Sequence, residues 1–104
     1  MTILEERLQI HGFRVDDVAV VVARGDIDEA GAQSLRAMFD SLRADDHVYV
    51  DCEGVGFIGE SGMSVLQALA TRNVAAGGPL HVSASAEVRR RIEIDGLEHL
   101  FAID

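Results

Sequence analysis

Lysine is missing from this chain. All nine basic residues among its 104 are arginines, set against eighteen acids, for a net charge of −9. So acidic a surface repels nucleic-acid backbones and anionic lipid, which argues against a sequence-independent DNA binder, and it steers toward a basic partner. Cysteine is nearly missing as well. Cys52 has no second thiol to pair with, so no internal disulfide forms, and its apolar, strand-like surroundings suit a small buried residue. Pro79 is the only proline. No apolar run approaches the roughly 20 residues that a membrane-spanning helix needs. The start, Met1-Thr2-Ile3-Leu4-Glu5-Glu6-Arg7, carries acids where a signal peptide would carry basic residues, and this points to the cytoplasm. There is no linker, internal repeat or low-complexity segment. One domain, residues 1–104, with one core is expected at this length.

Chemistry-bearing clusters are also scarce. His11, His47, His81 and His99 have no second His or Cys at ligand spacing, so no metal site is expected. No glycine-rich phosphate loop appears, and no cofactor is expected. Gly59-Glu60-Ser61-Gly62-Met63 fails the G-x-S-x-G spacing of a nucleophile elbow because position 63 is Met. The chain therefore reads as a non-enzyme. Arg89-Arg90-Arg91 is too short a run, and too spread around a helix, for a nucleic-acid patch; it reads as a solvated, salt-bridged face.

What is present is a regular alternation of elements. Leu4 to Phe13 and Val18 to Ala23 are apolar stretches separated by Asp16-Asp17. The second, VAVVVA, is short and β-branched, so the two predict a hairpin of strands. Asp28 is placed to cap a helix with Glu29 in its first turn, and Leu35, Met38, Phe39 and Leu42 fall at helical spacing as far as about Ala44. His47 to Cys52 reads as a strand. Ser61 to Ala76 reads as a second helix with a stripe of Met63, Leu66, Leu69, Ala70 and Val74, stopped by Gly77-Gly78-Pro79. Leu80 to Ala84 is a strand, and Ser85 caps a third helix. Pairs Glu87–Arg91 and Arg89–Glu93 support that helix until Asp95-Gly96, and Leu100 to Ile103 forms a last strand. Strands alternating with helices imply right-handed crossovers and an α/β fold with a mixed, mostly parallel sheet of about five strands and about three helices.

The most informative stretch is Val48 to Gly62, VYVDCEGVGFIGESG. A strand ends at Asp51-Cys52, a glycine-spaced loop follows, and Ser61 stands where the second helix begins. A hydroxyl there is either a helix cap or a group on which phosphate is placed, because backbone N–H groups and the helix dipole favour negative charge at that end. Ser64 is a second hydroxyl one turn later. Asp26 and Asp28 suit turn and cap positions.

The ordered set of segments resembles the STAS domain, and within it the bacterial anti-sigma factor antagonists. Gly25-Asp26-Ile27-Asp28 resembles the family's G-x-[LI]-D segment. Val48-Tyr49-Val50-Asp51 resembles its strand ending in Asp, and Val55-Gly56-Phe57-Ile58 the approach to its functional loop. Ser61-Gly62 falls on the last two positions of D-S-[ST]-G. Ala76 to Leu80 matches the turn after the second helix, and Arg91 to Leu97 the late helix-to-glycine stretch. The resemblance implies a STAS-like single domain that binds an anti-sigma factor while unphosphorylated and so releases the sigma factor. The anti-sigma factor is then also a serine kinase, with Ser61 the phosphoacceptor and a phosphatase reversing the step. Asp26, Gly59, Glu60, Ser61, Gly62 and Ser64 form the partner surface on this reading. Gly59 and Glu60 stand where the family has Asp and Ser. This keeps two alternatives open: Glu60 as standing negative charge, and a scaffold subunit of a stress-sensing or lipid-transport complex that no phosphate regulates.

Overall fold

The protein's structure, a computed structural model, describes residues 1–43 and 46–104. Among these residues six strands form one sheet in the order of the chain: β1 (Thr2–Leu4), β2 (Leu8–Val15), β3 (Val18–Ile27), β4 (His47–Ile58), β5 (Leu80–Ala84) and β6 (Phe101–Ile103). The first three are antiparallel to their neighbours, whereas β3 to β6 run parallel. The α/β class and the mixed, mostly parallel sheet are as the sequence predicts. The strand count differs by one, because the apolar stretch from Leu4 to Phe13 is not a single strand. The chain reverses at Glu5, whose N–H donates to the Leu8 carbonyl at 2.8 Å, and Thr2–Leu4 pairs back on β2.

The predicted hairpin is present. Val15 pairs with Val18 across Asp16-Asp17, and Asp16 takes φ of 55°, a left-handed conformation that Asp tolerates better than most residues. Among the described residues three helices lie in the crossovers: α1 (Glu29–Asp40), α2 (Glu60–Ala76) and α3 (Ala86–Ile94). Asp28 and Ser85 cap α1 and α3 as expected, accepting from the N–H groups of Gly31 at 2.8 Å and Val88 at 3.3 Å. α1 stops at Asp40, and the predicted end at Ala44 lies outside the described residues. Gly77 and Gly78 close α2 through N–H bonds to the Asn73 carbonyl at 3.0 and 3.2 Å. Val74 is not in the apolar stripe of α2 but exposed near its end. A 3-10 turn, Glu98–Leu100, precedes β6, which therefore starts one residue later than predicted. On α3, neither predicted ion pair forms among the described residues. Arg90 pairs with Glu87 at 3.0 Å and Arg91 with Asp95 at 3.9 Å, while Arg89 donates to the Asp104 carbonyl at 3.1 Å.

Successive parallel strands added on the same side, each by a right-handed crossover, put every helix on one face of the sheet. The core follows. Leu8 and Ile10 of β2, Val21 and Ala23 of β3, Val48, Val50 and Cys52 of β4, and Leu80 and Val82 of β5 point to that face. They form one buried cluster with Leu35, Met38, Leu66, Leu69, Val88 and Ile92 of the helices. The alternate residues Val18, Val20 and Val22 of β3 and Tyr49 of β4 point the other way and do not join it. The molecule measures 32 × 31 × 20 Å, as one sheet under one helix layer should.

Candidate functional site

The sequence predicts a loop from Glu53 to Glu60. The structure instead continues β4 to Ile58, parallel to β3, with register shifts after Val22 and after Gly25. Gly25 makes the second shift possible. Its φ is +112°, and a Cβ there would lie 2.1 Å from the Arg7 carbonyl oxygen, a position no side chain can share. The kink brings Asp26 opposite Phe57, with one carboxylate oxygen facing Gly56. β3 and β4 thus end side by side, tied by the Gly59 N–H to the Ile27 carbonyl at 3.0 Å. The loop shrinks to Gly59 alone, and α2 starts at once.

This changes the place of Ser61. Gly59 is the N-cap of α2, in extended conformation, and supplies no side-chain cap; Glu60 opens the first turn and Ser61 is the second helical residue. Ser61 is therefore not the cap. Its side chain is exposed, and its hydroxyl has no hydrogen-bond partner within the chain among the described residues. The residue behind it explains why it faces outward. Gly62 is buried, and a Cβ there would stand 2.7 Å from Ile27 Cγ2 and 2.8 Å from Ile58 Cγ1. The first turn of α2 rests on the ends of β3 and β4 at a distance only glycine permits. With position 62 against the sheet, Glu60, Ser61 and Ser64 lie on the exposed side.

Sequence reasoning missed two neighbours. Phe57 is 48% exposed although the strand around it is apolar, and its ring lies beside Gly59. The signal was the order of residues 55 to 58: Val55 and Ile58 are buried, whereas Gly56 and Phe57 are not. Arg91 of α3 donates to the Ile58 carbonyl at 3.1 Å, clamping the strand end from which α2 departs. No local pattern marks that contact, since Arg91 is 33 residues away.

The six residues predicted for the partner surface sort by place. Gly59, Glu60, Ser61 and Ser64 line one short surface at the start of α2. Asp26 sits half-buried on the adjoining strand, and Gly62 lies beneath the surface as its spacer. Glu60 in the first turn lies where the helix dipole favours a carboxylate. Cys52 contributes no reactive thiol: burial, and then the Asp51 carboxylate, push it up to about 12. Among the described residues no three His, Cys, Asp or Glu side chains gather as a metal site would require, and no helix is long and apolar enough to cross a membrane.

A six-stranded mixed sheet covered on one face, with a serine exposed at the start of the helix that follows the central parallel strand, defines a class. The family profile of the STAS domain matches residues 13–104, and the chain belongs to that family. Two solved structures that it resembles are of anti-sigma factor antagonists. The crystal structure of one from Mycobacterium paratuberculosis is 25% identical, with 92% of this chain and 84% of that chain covered and a TM-score of 0.78. The anti-sigma factor antagonist SpoIIAA in its unphosphorylated form shares the fold at 18% identity, with 91% of this chain and 87% of that chain covered and a TM-score of 0.71. No curated protein matches the chain in sequence.

Proposed function

We propose that this protein is a cytoplasmic anti-sigma factor antagonist, a binding module without catalysis of its own. In the unphosphorylated state it binds an anti-sigma factor through the start of α2 and the adjoining strand ends, and so frees the sigma factor for transcription. The anti-sigma factor is a serine kinase that modifies Ser61, and a phosphatase restores binding. The observation that carries this reading is the exposure of Ser61 in the first turn of α2, held outward by Gly62 against Ile27 and Ile58.

Phosphate adds about −1.5 to −2 charges at neutral pH. At the start of a helix the domain accommodates that charge without refolding. A partner surface shaped for a hydroxyl, however, must bury it, and desolvating an unpaired charge is costly. The switch therefore acts on the complex and leaves the fold alone. Incubation with candidate anti-sigma kinases and ATP, followed by mass spectrometry, is expected to place one phosphate on Ser61, and Ser61→Glu is expected to abolish capture of the kinase. Equal binding by wild type and Ser61→Glu would refute the switch.

Gly59 favours a second reading. The N-cap lacks the family's acid, and Glu60 supplies a constant charge beside Ser61. A scaffold subunit of a stress-sensing or lipid-transport complex needs no modifiable hydroxyl. Recovery of only scaffold or transporter subunits from the native cell, with Ser61 unmodified, would select that role.

A further inference from the structure

Among the described residues the helices all pack on one face of the sheet and leave the other bare, and register shows what it presents. One row across the strands is Phe13, Val20, Tyr49, His81 and Ala102; the next is Thr2, His11, Val22, Asp51 and Ser83. Leu4, Val15 and Val18 extend the apolar area, with Leu4 70% and Val15 53% exposed. The apolar residues gather on the β1–β3 half of this face, where Leu4, Phe13 and Val15 are exposed and Val18, Val20 and Val22 half-buried, and an exposed apolar patch of this kind marks an interface. Six strands about 4.8 Å apart and about 20 Å long present on the order of 600 Å² per copy, which places a face-to-face pair at the lower end of stable interfaces.

Charge selects the occupant. The chain carries −9 overall, yet the formal charges in the middle of this face are one arginine, Arg24, and two acids of β4, Asp51 and the exposed Glu53 beside Gly54; Asp104 lies at the rim, accepting from the Tyr49 hydroxyl at 3.0 Å. A second copy answers both signs, because Arg24 of each copy faces the β4 acids of the other. The sheet's midline runs between β3 and β4. A two-fold axis along that midline lays β3 of one copy over β4 of the other. Val20 then meets Tyr49, Phe13 meets His81, and Arg24 reaches Asp51, which sits opposite Val22, one same-face step back along the strand. Arg24 has no ion-pair partner in its own chain among the described residues. An axis across the strands would instead set Arg24 over the lower ends of the sheet, where Val15 and Val18 stand.

We propose that the bare sheet face is the interface of a homodimer, formed by two copies about a two-fold axis along the β3–β4 midline. The dimer leaves Ser61 accessible, because that residue projects from the edge where the parallel strands end. This inference does not depend on phosphorylation or on the anti-sigma factor.

Sedimentation velocity of the full chain, from about 1 to about 500 μM, tests it. The expected result is conversion from 11.2 kDa to twice that mass with a micromolar midpoint. Val20→Arg buries a charge at the centre and is expected to raise the dissociation constant at least about 100-fold. Phe13→Glu, at a residue already 43% exposed, should do the same without endangering the fold. Arg24→Asp alone should weaken the dimer, and combination with Asp51→Arg should restore it. A chain that remains at 11.2 kDa throughout overturns the proposal and leaves the face to a different protein. A dimer that Phe13→Glu and Val20→Arg leave unweakened overturns it equally.

Discussion

Substituting Gly62 by alanine separates two opposed effects of known size. Position 62 is the third residue of α2, where alanine is favoured over glycine by about 0.8–1 kcal/mol on backbone entropy alone. Against this stands the space available. The new Cβ would lie 2.7 Å from Ile27 Cγ2 and 2.8 Å from Ile58 Cγ1, and neither isoleucine has any solvent exposure. Those atoms are branched side-chain carbons close to the backbone of two core strands, so they cannot swing aside. Overpacking a closed core costs about 1–3 kcal/mol, and two contacts under 3.0 Å put this site in the upper part of that range, about 2–3 kcal/mol. The steric term wins, and the expected net loss is about 1–2 kcal/mol, a fall in melting temperature of roughly 5–15 °C for a domain of this size. Urea unfolding followed by circular dichroism measures it, with an unchanged m-value to certify a two-state comparison. The strain is relieved by lifting the first turn of α2, so Ser61 moves with it and partner binding should weaken by more than the stability loss explains. A Gly62→Ala protein as stable as wild type, or more so, would refute the close seating of α2 on the strand ends and with it the reason given for the outward set of Ser61.

Ser61→Glu should leave the fold intact and raise stability by about 0.3–1 kcal/mol, because a carboxylate in the first turn interacts favourably with the helix dipole; thermal melts at low salt check this, and a large drop would show that lost binding reflects unfolding. Gly59→Asp should add a side-chain cap that α2 lacks, since the site is already extended with φ of −88° and a Cβ there makes only ordinary contacts; the gain is a few tenths of a kcal/mol in urea unfolding. Cys52 should resist thiol reagents in the native protein at pH 8 and react fully in denaturant. The same group sets a pH trend. Its folded value of about 12 lies above the ordinary 9.0, so its stabilisation is complete below about pH 9 and is lost as pH rises toward 12. Cys52→Ala should flatten that alkaline decline, and an unchanged decline would assign it elsewhere.

Local rules served well wherever a residue answers to its immediate neighbours. Asp28 and Ser85 cap their helices because a short oxygen-bearing side chain at an extended residue meets the free N–H groups of the next turn, a geometry contained within four residues. The Asp16-Asp17 turn and the glycine stop of α2 are legible for the same reason. The strand–helix alternation resembles the STAS pattern closely enough to identify the fold before any coordinates. Local rules failed where distant segments decide. β4 runs on through Glu53-Gly54-Val55-Gly56, a composition that reads as loop, because β3 lies alongside and satisfies its backbone groups. The ion pairs on α3 differ from those predicted because Arg89 and Arg91 turn to carbonyls of Asp104 and Ile58. Val74 matches the helical stripe yet is exposed, because the buried residues of α2 end at Ala70 and its last turns do not pack on the core.

The sequence by itself determined the α/β class, the hairpin, the caps and the family to which the chain belongs, since all of these rest on periodicity, turn chemistry and an ordered set of short motifs. It marked Ser61 as the residue of interest but left open whether that hydroxyl caps the helix. Only the tertiary structure decided this. Gly59 takes the cap position because β4 extends to Ile58, and Gly62 turns inward because Ile27 and Ile58, from two strands, close over it. The bare face of the sheet has the same origin: whether Val18, Val20 and Val22 are core or surface depends on which side every crossover packs, and that is a property of the whole chain.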